Sequence, residues 1–173
     1  MPAATRQLFV LRHAKSSWDD PGLGDHDRPL AARGRRAAAQ VAGYLQAREI
    51  DPELVLCSSA RRTRETLEGI SPHGQTLIEP QLYAATASDL IERLRRVPDP
   101  TASVMLIGHN PGLQMLVLGL AAGKATEGAN LAAVSHKFPT AALATLELTG
   151  DWSELRPGGA VLSWFVRPKD LPT

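Results

Sequence analysis

The chain predicts a single α/β domain over residues 1–173, a three-layer sandwich with a mostly parallel central sheet and an antiparallel strand pair at its C-terminal end. Three observations carry this reading. Short apolar runs alternate with segments of helical spacing as far as about residue 121. Each of those runs is brief and bounded by polar or turn residues, as a buried strand is. Beyond residue 140, two further strand-like runs are joined by glycine- and proline-rich turns, the mark of an antiparallel pair. At 173 residues the chain is long enough to bury a sizeable core, and no repeat, low-complexity run or linker divides it.

Residues 7–12 read as the first strand, and 16–27, rich in Ser, Asp, Gly and His, as a long loop. Leu30, Gly34, Ala38, Val41 and Leu45 recur at helical spacing, which predicts an amphipathic helix over 30–48. Residues 54–57 form a second strand, 60–70 a helix that stops near Ser71-Pro72, and 76–78 a short third strand. Thr86 or Ser88 caps a helix that runs to about Arg96 and closes at Val97-Pro98-Asp99-Pro100. Residues 103–107 are the fourth strand. Gly108-His109-Asn110-Pro111-Gly112 then turns into a helix over 111–121, with Asn110 as N-cap and Pro111 in the first turn. Residues 123–137 read as a surface connection, and 141–148 and 160–166 as the terminal strand pair, in which Trp152 and Trp164 serve as packing residues.

Composition narrows the function classes. Hydrophobic residues make up 43% and charged residues 21%, which is ordinary for a soluble globular protein. The net charge of +1 sets up no global field of the kind that marks a nucleic-acid or membrane-surface binder. No apolar run reaches the roughly 18 residues of a membrane helix, and Met1–Arg6 shows no signal-peptide core. The lone cysteine, Cys57, lies in an apolar run and reads as a buried thiol, which fits a reducing cytoplasm.

Three strand ends carry polar residues of one kind. The first gives Arg12-His13, the second Ser58 through Thr66 with Arg61, Arg62 and Arg64, and the fourth Gly108-His109-Asn110. In a parallel sheet all three open on one edge, where ligands of such folds bind. Two histidines and several arginines then meet in one crevice, with helix N-termini facing it, and helix N-termini favour anions. A phosphoryl group in transfer spreads negative charge over its oxygens, which arginine forks suit. A neutral imidazole, with an unperturbed pKa of about 6.5, is a competent nucleophile near neutral pH.

The combination of Leu11-Arg12-His13, of Ser58-x-x-x-Arg62-x-x-x-Thr66 and of Gly108-His109-Asn110 resembles the histidine phosphatase superfamily. The strings Arg12-His13-Ala14-Lys15-Ser16-Ser17-Trp18 and Asp25-His26-Asp27-Arg28-Pro29-Leu30 resemble its small SixA-type phosphohistidine phosphatase branch. The resemblance runs from residue 7 to about 120. It implies the phosphoglycerate mutase-like fold, and it implies that His13 takes the phosphoryl group as a phosphohistidine intermediate. It further implies that Arg12 and Arg62 bind phosphate, that His109 contacts the phosphoryl oxygens, and that Arg28 reaches the same pocket. Water then hydrolyses the intermediate.

No metal or other cofactor is expected. His13, His26, His73, His109 and His136 show no paired ligand spacing. One departure from the family pattern bears on substrate. Many members place a glutamate after the third strand as general acid, and no acid follows Leu82 here. Asp25, Asp27 and Glu79 are the candidates to replace it. If none does, the substrate is N-phosphorylated, because a phosphoramidate has a more labile bond to break than an ester. The expected partner is therefore a protein carrying phosphohistidine. The alternatives are a phosphomonoesterase for a small phosphate ester and a phosphate-binding module without catalysis. Lys15 and Trp18 fit the pocket mouth, but equally an exposed loop and a cover over the core. His26, His73 and His136 read as surface residues, with His136 within possible reach of the mouth.

Overall fold

The first strand, β1 (Thr5–Arg12), carries side chains alternately to two separate cores. Leu8 and Val10 face one, Phe9 and Leu11 the other. The same alternation recurs in β2 (Leu54–Ser58) and β4 (Ser103–Gly108). A strand apolar on both faces has to be covered on both, so the sheet is the middle of three layers. The computed structural model describes residues 5–123 and 128–173.

The sheet has six strands in the order β3-β2-β4-β1-β5-β6. β3 (Gln75–Glu79), β2, β4 and β1 run parallel. β5 (Leu143–Thr149) lies antiparallel to β1, and β6 (Ala160–Val166) antiparallel to β5. This is the mixed α/β architecture that the sequence predicts. Helices α1 (Ala32–Ala47) and α2 (Arg61–Ile70) cover the face that carries Phe9 and Leu11. Helices α3 (Ala87–Leu94), α4 (Gly112–Leu120) and α5 (Gly128–His136) cover the other. The apolar stripe expected of α1 is the one it buries: Gly34, Ala38, Val41 and Leu45. Of the two candidate caps of α3, Thr86 serves, in a reciprocal capping box with Asp89. Cys57 is fully buried, and burial pushes its thiol up to about 12.

Three expectations need correction. Part of 123–137 is not a connection but α5, which places Val134 in the core and is tied to α4 by Gln114 Nε2 donating to Val134 O at 2.7 Å; residues 124–127 lie outside the described residues. An alanine-rich helix with one buried position has almost no amphipathic signature to read. At α4, Pro111 is the cap and Gly112 the first helical residue. Asn110, one residue before that cap, still serves the first turn, since its Oδ1 accepts from Gln114 N at 3.3 Å while its Nδ2 donates to Phe138 O at 2.9 Å. Finally, Trp152 is a core residue, but in a 3-10 turn outside the strands, where its indole donates to Thr101 O at 2.8 Å. Trp164 is on β6 but half exposed, under the guanidinium of Arg48.

β1 and β4 are the switch point of the sheet. The chain leaves β1 for the α1 face and leaves β4 for the α4 face, so a crevice opens between Arg12 and Gly108, which are register partners. The loop after β1 is pressed onto α1 there. Ala31 N donates to Lys15 O at 2.8 Å, and a Cβ on Gly34 would stand 2.1 Å from that same oxygen. Gly34→Ala is therefore expected to destabilise the fold by about 1–3 kcal/mol, as overpacking against backbone does. Urea unfolding measures this, and a loss under about 0.5 kcal/mol, the usual scatter of surface substitutions, contradicts it.

Candidate active site

His13 follows β1 directly and is 7% exposed. Its Nδ1 lies 2.7 Å from Ala14 O, a carbonyl that can only accept, so Nδ1 carries the proton and the Nε2 lone pair is left for attack. The Ala14 backbone is itself fixed, since Ala14 N donates to Thr66 Oγ1 at 3.0 Å and that hydroxyl donates to Arg62 O at 2.7 Å. This gives the Ser-x-x-x-Arg-x-x-x-Thr pattern a physical reading. Successive residues four apart lie on one face of α2. Arg62 points its guanidinium into the crevice, and Thr66 one turn later pins the loop that holds His13.

His109 stands at the end of β4, its ring 5.3 Å from that of His13. Arg62 Nη2 donates to His109 Nδ1 at 3.3 Å, and His109 Nε2 donates to the buried hydroxyl of Ser58 at 2.7 Å. Burial, with Arg62 close by, brings the His109 imidazole down to about 4. Burial, aided by His109, Arg62 and Arg12, brings His13 down to about 3, despite the bond to Ala14 O. Both rings are thus neutral near pH 7. The unfolded chain takes up these protons near pH 6.5. Between pH 6.5 and about 4 it therefore binds more protons than the folded chain, and stability falls on acidification. A 15N NMR titration of the imidazoles is expected to show no step at His13 or His109 from pH 8 to 5. A step near 6.5 at either refutes this.

Arg12 donates through Nη1 to Phe138 O at 3.0 Å. Burial and the Arg62 charge lower its pKa from the usual value. Arg12 Nε and Arg62 Nε are both buried without an acceptor among the described residues. Buried donors are almost always satisfied, so two orphaned guanidinium donors on the two arginines next to the histidine pair suit an acceptor-rich ligand. Arg62, Asp25, Tyr83 and His109 line a cleft of about 660 Å³ at this place.

Arg28 is buried and reaches the same group by way of Asp25. It donates to Ser16 Oγ at 2.7 Å and, through Nη2, to Asp25 Oδ1 at 3.0 Å, while Trp18 lies 3.6 Å from its guanidinium. Arg62 Nη2 donates to the other oxygen, Asp25 Oδ2, at 3.1 Å, and Tyr83 Oη donates there too. Trp18, 69% exposed, therefore does not cover the core. Arg61 and Arg64 lie on the exposed side of α2.

None of the three candidate acids is placed to give up a proton to a leaving group. Tyr83, Arg28 and Arg62 hold the Asp25 carboxyl well below the usual carboxylate range, so it stays ionised. Asp27 is 68% exposed, and among the described residues its carboxyl meets only the rim residue His26, at 3.5 Å. Glu79 is turned away into a two-oxygen pair with Arg93, the shortest contact being 2.7 Å. Sequence reasoning missed Tyr83 and Ser58. Tyr83 directly follows Leu82, the very place searched for an acid, and Ser58 opens the motif that led to Arg62. His26 lies at the rim, its Nε2 2.9 Å from Ser59 Oγ and its ring 4.8 Å from that of Tyr83.

A sheet with its switch point at β1 and β4, and paired histidines and arginines in the crevice there, define a phosphoryl-binding α/β enzyme. Comparison with known proteins agrees. The family model for the histidine phosphatase superfamily (branch 1) matches residues 8–85. An uncharacterized protein of Mycobacterium tuberculosis strain H37Rv, Rv1276c, is 38% identical over 159 residues, covering 92% of this chain and all of its own. A SixA-type protein from Nakamurella multipartitia superimposes with a TM-score of 0.86 at 27% identity, over 97% of this chain and 99% of that one. The protein histidine phosphatase SixA complexed with tungstate gives 0.77 at 26% identity, over 95% and 98% of the two chains. This chain belongs to the histidine phosphatase superfamily, in its SixA-type branch.

Proposed function

We propose that the protein is a cytoplasmic phosphatase that removes the phosphoryl group from phosphohistidine on another protein. In this reading His13 Nε2 attacks phosphorus in line. The P–N bond to the substrate imidazole breaks, and its electron pair stays on that nitrogen, which takes a proton from solvent. Arg12 and Arg62 hold the phosphoryl oxygens, with Arg28 joining them and His109 turning its Nε2–H from Ser58 Oγ to them, and the guanidiniums stabilise the charge of transfer. Water then attacks the phosphorylated His13, the P–Nε2 bond breaks, and inorganic phosphate leaves. Neither metal nor cofactor takes part.

The observation that carries the choice of substrate is the state of the acids. An alkoxide leaving group needs a proton donor. Asp25 is locked as a carboxylate, its partner Tyr83 is pushed above the ordinary phenol value, and Glu79 faces Arg93. An imidazole leaving group manages without such a donor. The tungstate held by the related SixA, a tetrahedral oxyanion, also supports a phosphoryl site.

The test is competition among a phosphohistidine protein, phosphoserine and a sugar phosphate, scored as kcat/KM. The phosphohistidine protein is expected to win by orders of magnitude. Faster hydrolysis of phosphoserine or the sugar phosphate overturns the assignment in favour of a phosphomonoesterase.

A further inference from the structure

A second concavity, of about 540 Å³, adjoins the active site and shares no lining residue with the catalytic cleft. Lys15, Arg33, Arg36, Lys137 and Lys169 line it. Not one of these five forms an ion pair among the described residues. Arg167, paired with Asp170 at 2.8 Å, and His136 complete its basic wall. No aspartate or glutamate side chain lines it. Six of the chain's nineteen lysines and arginines thus meet in one groove of a protein whose net charge is +1.

The groove is tied to the nucleophile through the backbone. Lys15 is two residues from His13, and its carbonyl receives Ala31 N at the start of α1, which brings Arg33 and Arg36 alongside. On the opposite wall Lys137 precedes Phe138, whose carbonyl receives both Arg12 Nη1 and Asn110 Nδ2. Ala141 N, after the lining residues Pro139 and Thr140, donates to Arg12 O and His13 O. Groove and nucleophile therefore share one rigid frame.

We propose that this groove is the docking site for an acidic face of the phosphorylated protein, so that carboxylates flanking the phosphohistidine settle among these cations while the phosphoryl group meets His13. The proposal rests on the phosphatase reading above and adds the kind of partner. Each concavity alone is large enough for a small ester, so a ligand that engages both is larger than a metabolite. The groove offers no tryptophan, tyrosine or phenylalanine on which nucleic-acid bases stack, and single-strand binders rely on such platforms. Charges of this kind at a rim act on encounter rate and partner choice, and they are sensitive to salt.

The test uses two synthetic peptides of equal length, each with a central phosphohistidine, one flanked by glutamates and one by serines, together with free phosphohistidine. Wild-type protein is compared with the double variant Arg33→Glu/Lys169→Glu, both sites being exposed and outside the catalytic group. Wild type is expected to favour the glutamate peptide in kcat/KM by about tenfold at low salt, a change of about 1.4 kcal/mol, with the preference fading at high salt. The double variant is expected to lose the preference while it turns over free phosphohistidine as wild type does. An absent preference, or one that survives in the double variant, overturns the proposal. If wild type hydrolyses none of the three, the phosphohistidine reading fails by itself. The groove is then judged by fluorescence anisotropy of the unphosphorylated glutamate peptide, where wild-type binding lost in the double variant upholds it and no binding overturns it. Displacement of that peptide by single-stranded RNA at lower concentration than by its own unlabelled form assigns the groove to nucleic acid instead, which also overturns it.

Discussion

His13→Ala is expected to abolish turnover, with kcat down by about 10⁵-fold or more, the scale on which removal of a covalent nucleophile acts. The geometry argues for a loss this complete. The Nδ1 proton is committed to Ala14 O, so Nε2 is the one free lone pair on the ring. Burial keeps that lone pair unprotonated down to about pH 3. His109 is no substitute, because its Nδ1 receives Arg62 and its Nε2 faces Ser58. The variant leaves Ala14 O without its donor, at a cost of about 1–3 kcal/mol, so its fold is checked by circular dichroism and urea unfolding before turnover is compared. Rapid-quench mass spectrometry supplies the second readout, in which a phosphoryl adduct forms on wild type and none forms on the variant. Hydrolysis by the alanine variant at the wild-type rate ends the nucleophile assignment.

Arg62→Ala is expected to lower kcat/KM by about 10³-fold, as loss of a guanidinium on a transferring phosphoryl group does. Arg62 links the Asp25 loop to His109. It donates to Asp25 O at 2.7 Å, to Asp25 Oδ2 and to His109 Nδ1, and its Nε is buried without an acceptor among the described residues. Lysine has the charge but not the fork, so Arg62→Lys is expected to recover little of the loss. A lysine variant within about threefold of wild type contradicts the two-point role. The alanine variant also frees Asp25 from one of its cations, and its pH profile is expected to show a carboxylate titrating closer to the ordinary range, with a step that wild type lacks.

The parts of this fold legible in the chain are those decided locally. β1, β2 and β4 are short apolar runs, and α1 carries a strict buried stripe, so their identity follows from periodicity. The convergence of Arg12, Arg62 and His109 was readable for the same reason, because each stands next to a strand end and a parallel sheet gathers such ends on one edge. What escaped depends on distant partners. The ionised state of Asp25 is set by Tyr83, 58 residues away, and by Arg62, 37 residues away. No spacing rule links them. Glu79 is likewise spoken for by Arg93 on the following helix, a pairing that a search for acids by position does not anticipate. α5 escaped for the opposite reason, since its sequence is so weakly patterned that only packing against α4 and β6 reveals it.

The carboxylate of Asp25 bridges Arg28 and Arg62 while remaining half exposed on its loop. The site thus carries its own counter-ion. A phosphoryl oxygen that claims the Arg62 donors swaps one anion for another, and does not arrive at bare positive charge. Affinity for phosphate is then a difference between two similar ion pairs, which keeps it modest and blunts its response to salt. The same exchange run backwards helps the product out, because Asp25 stands ready to retake its arginines as inorganic phosphate departs. An enzyme that has to let go of the anion it makes is well served by a carboxylate that competes for the same place.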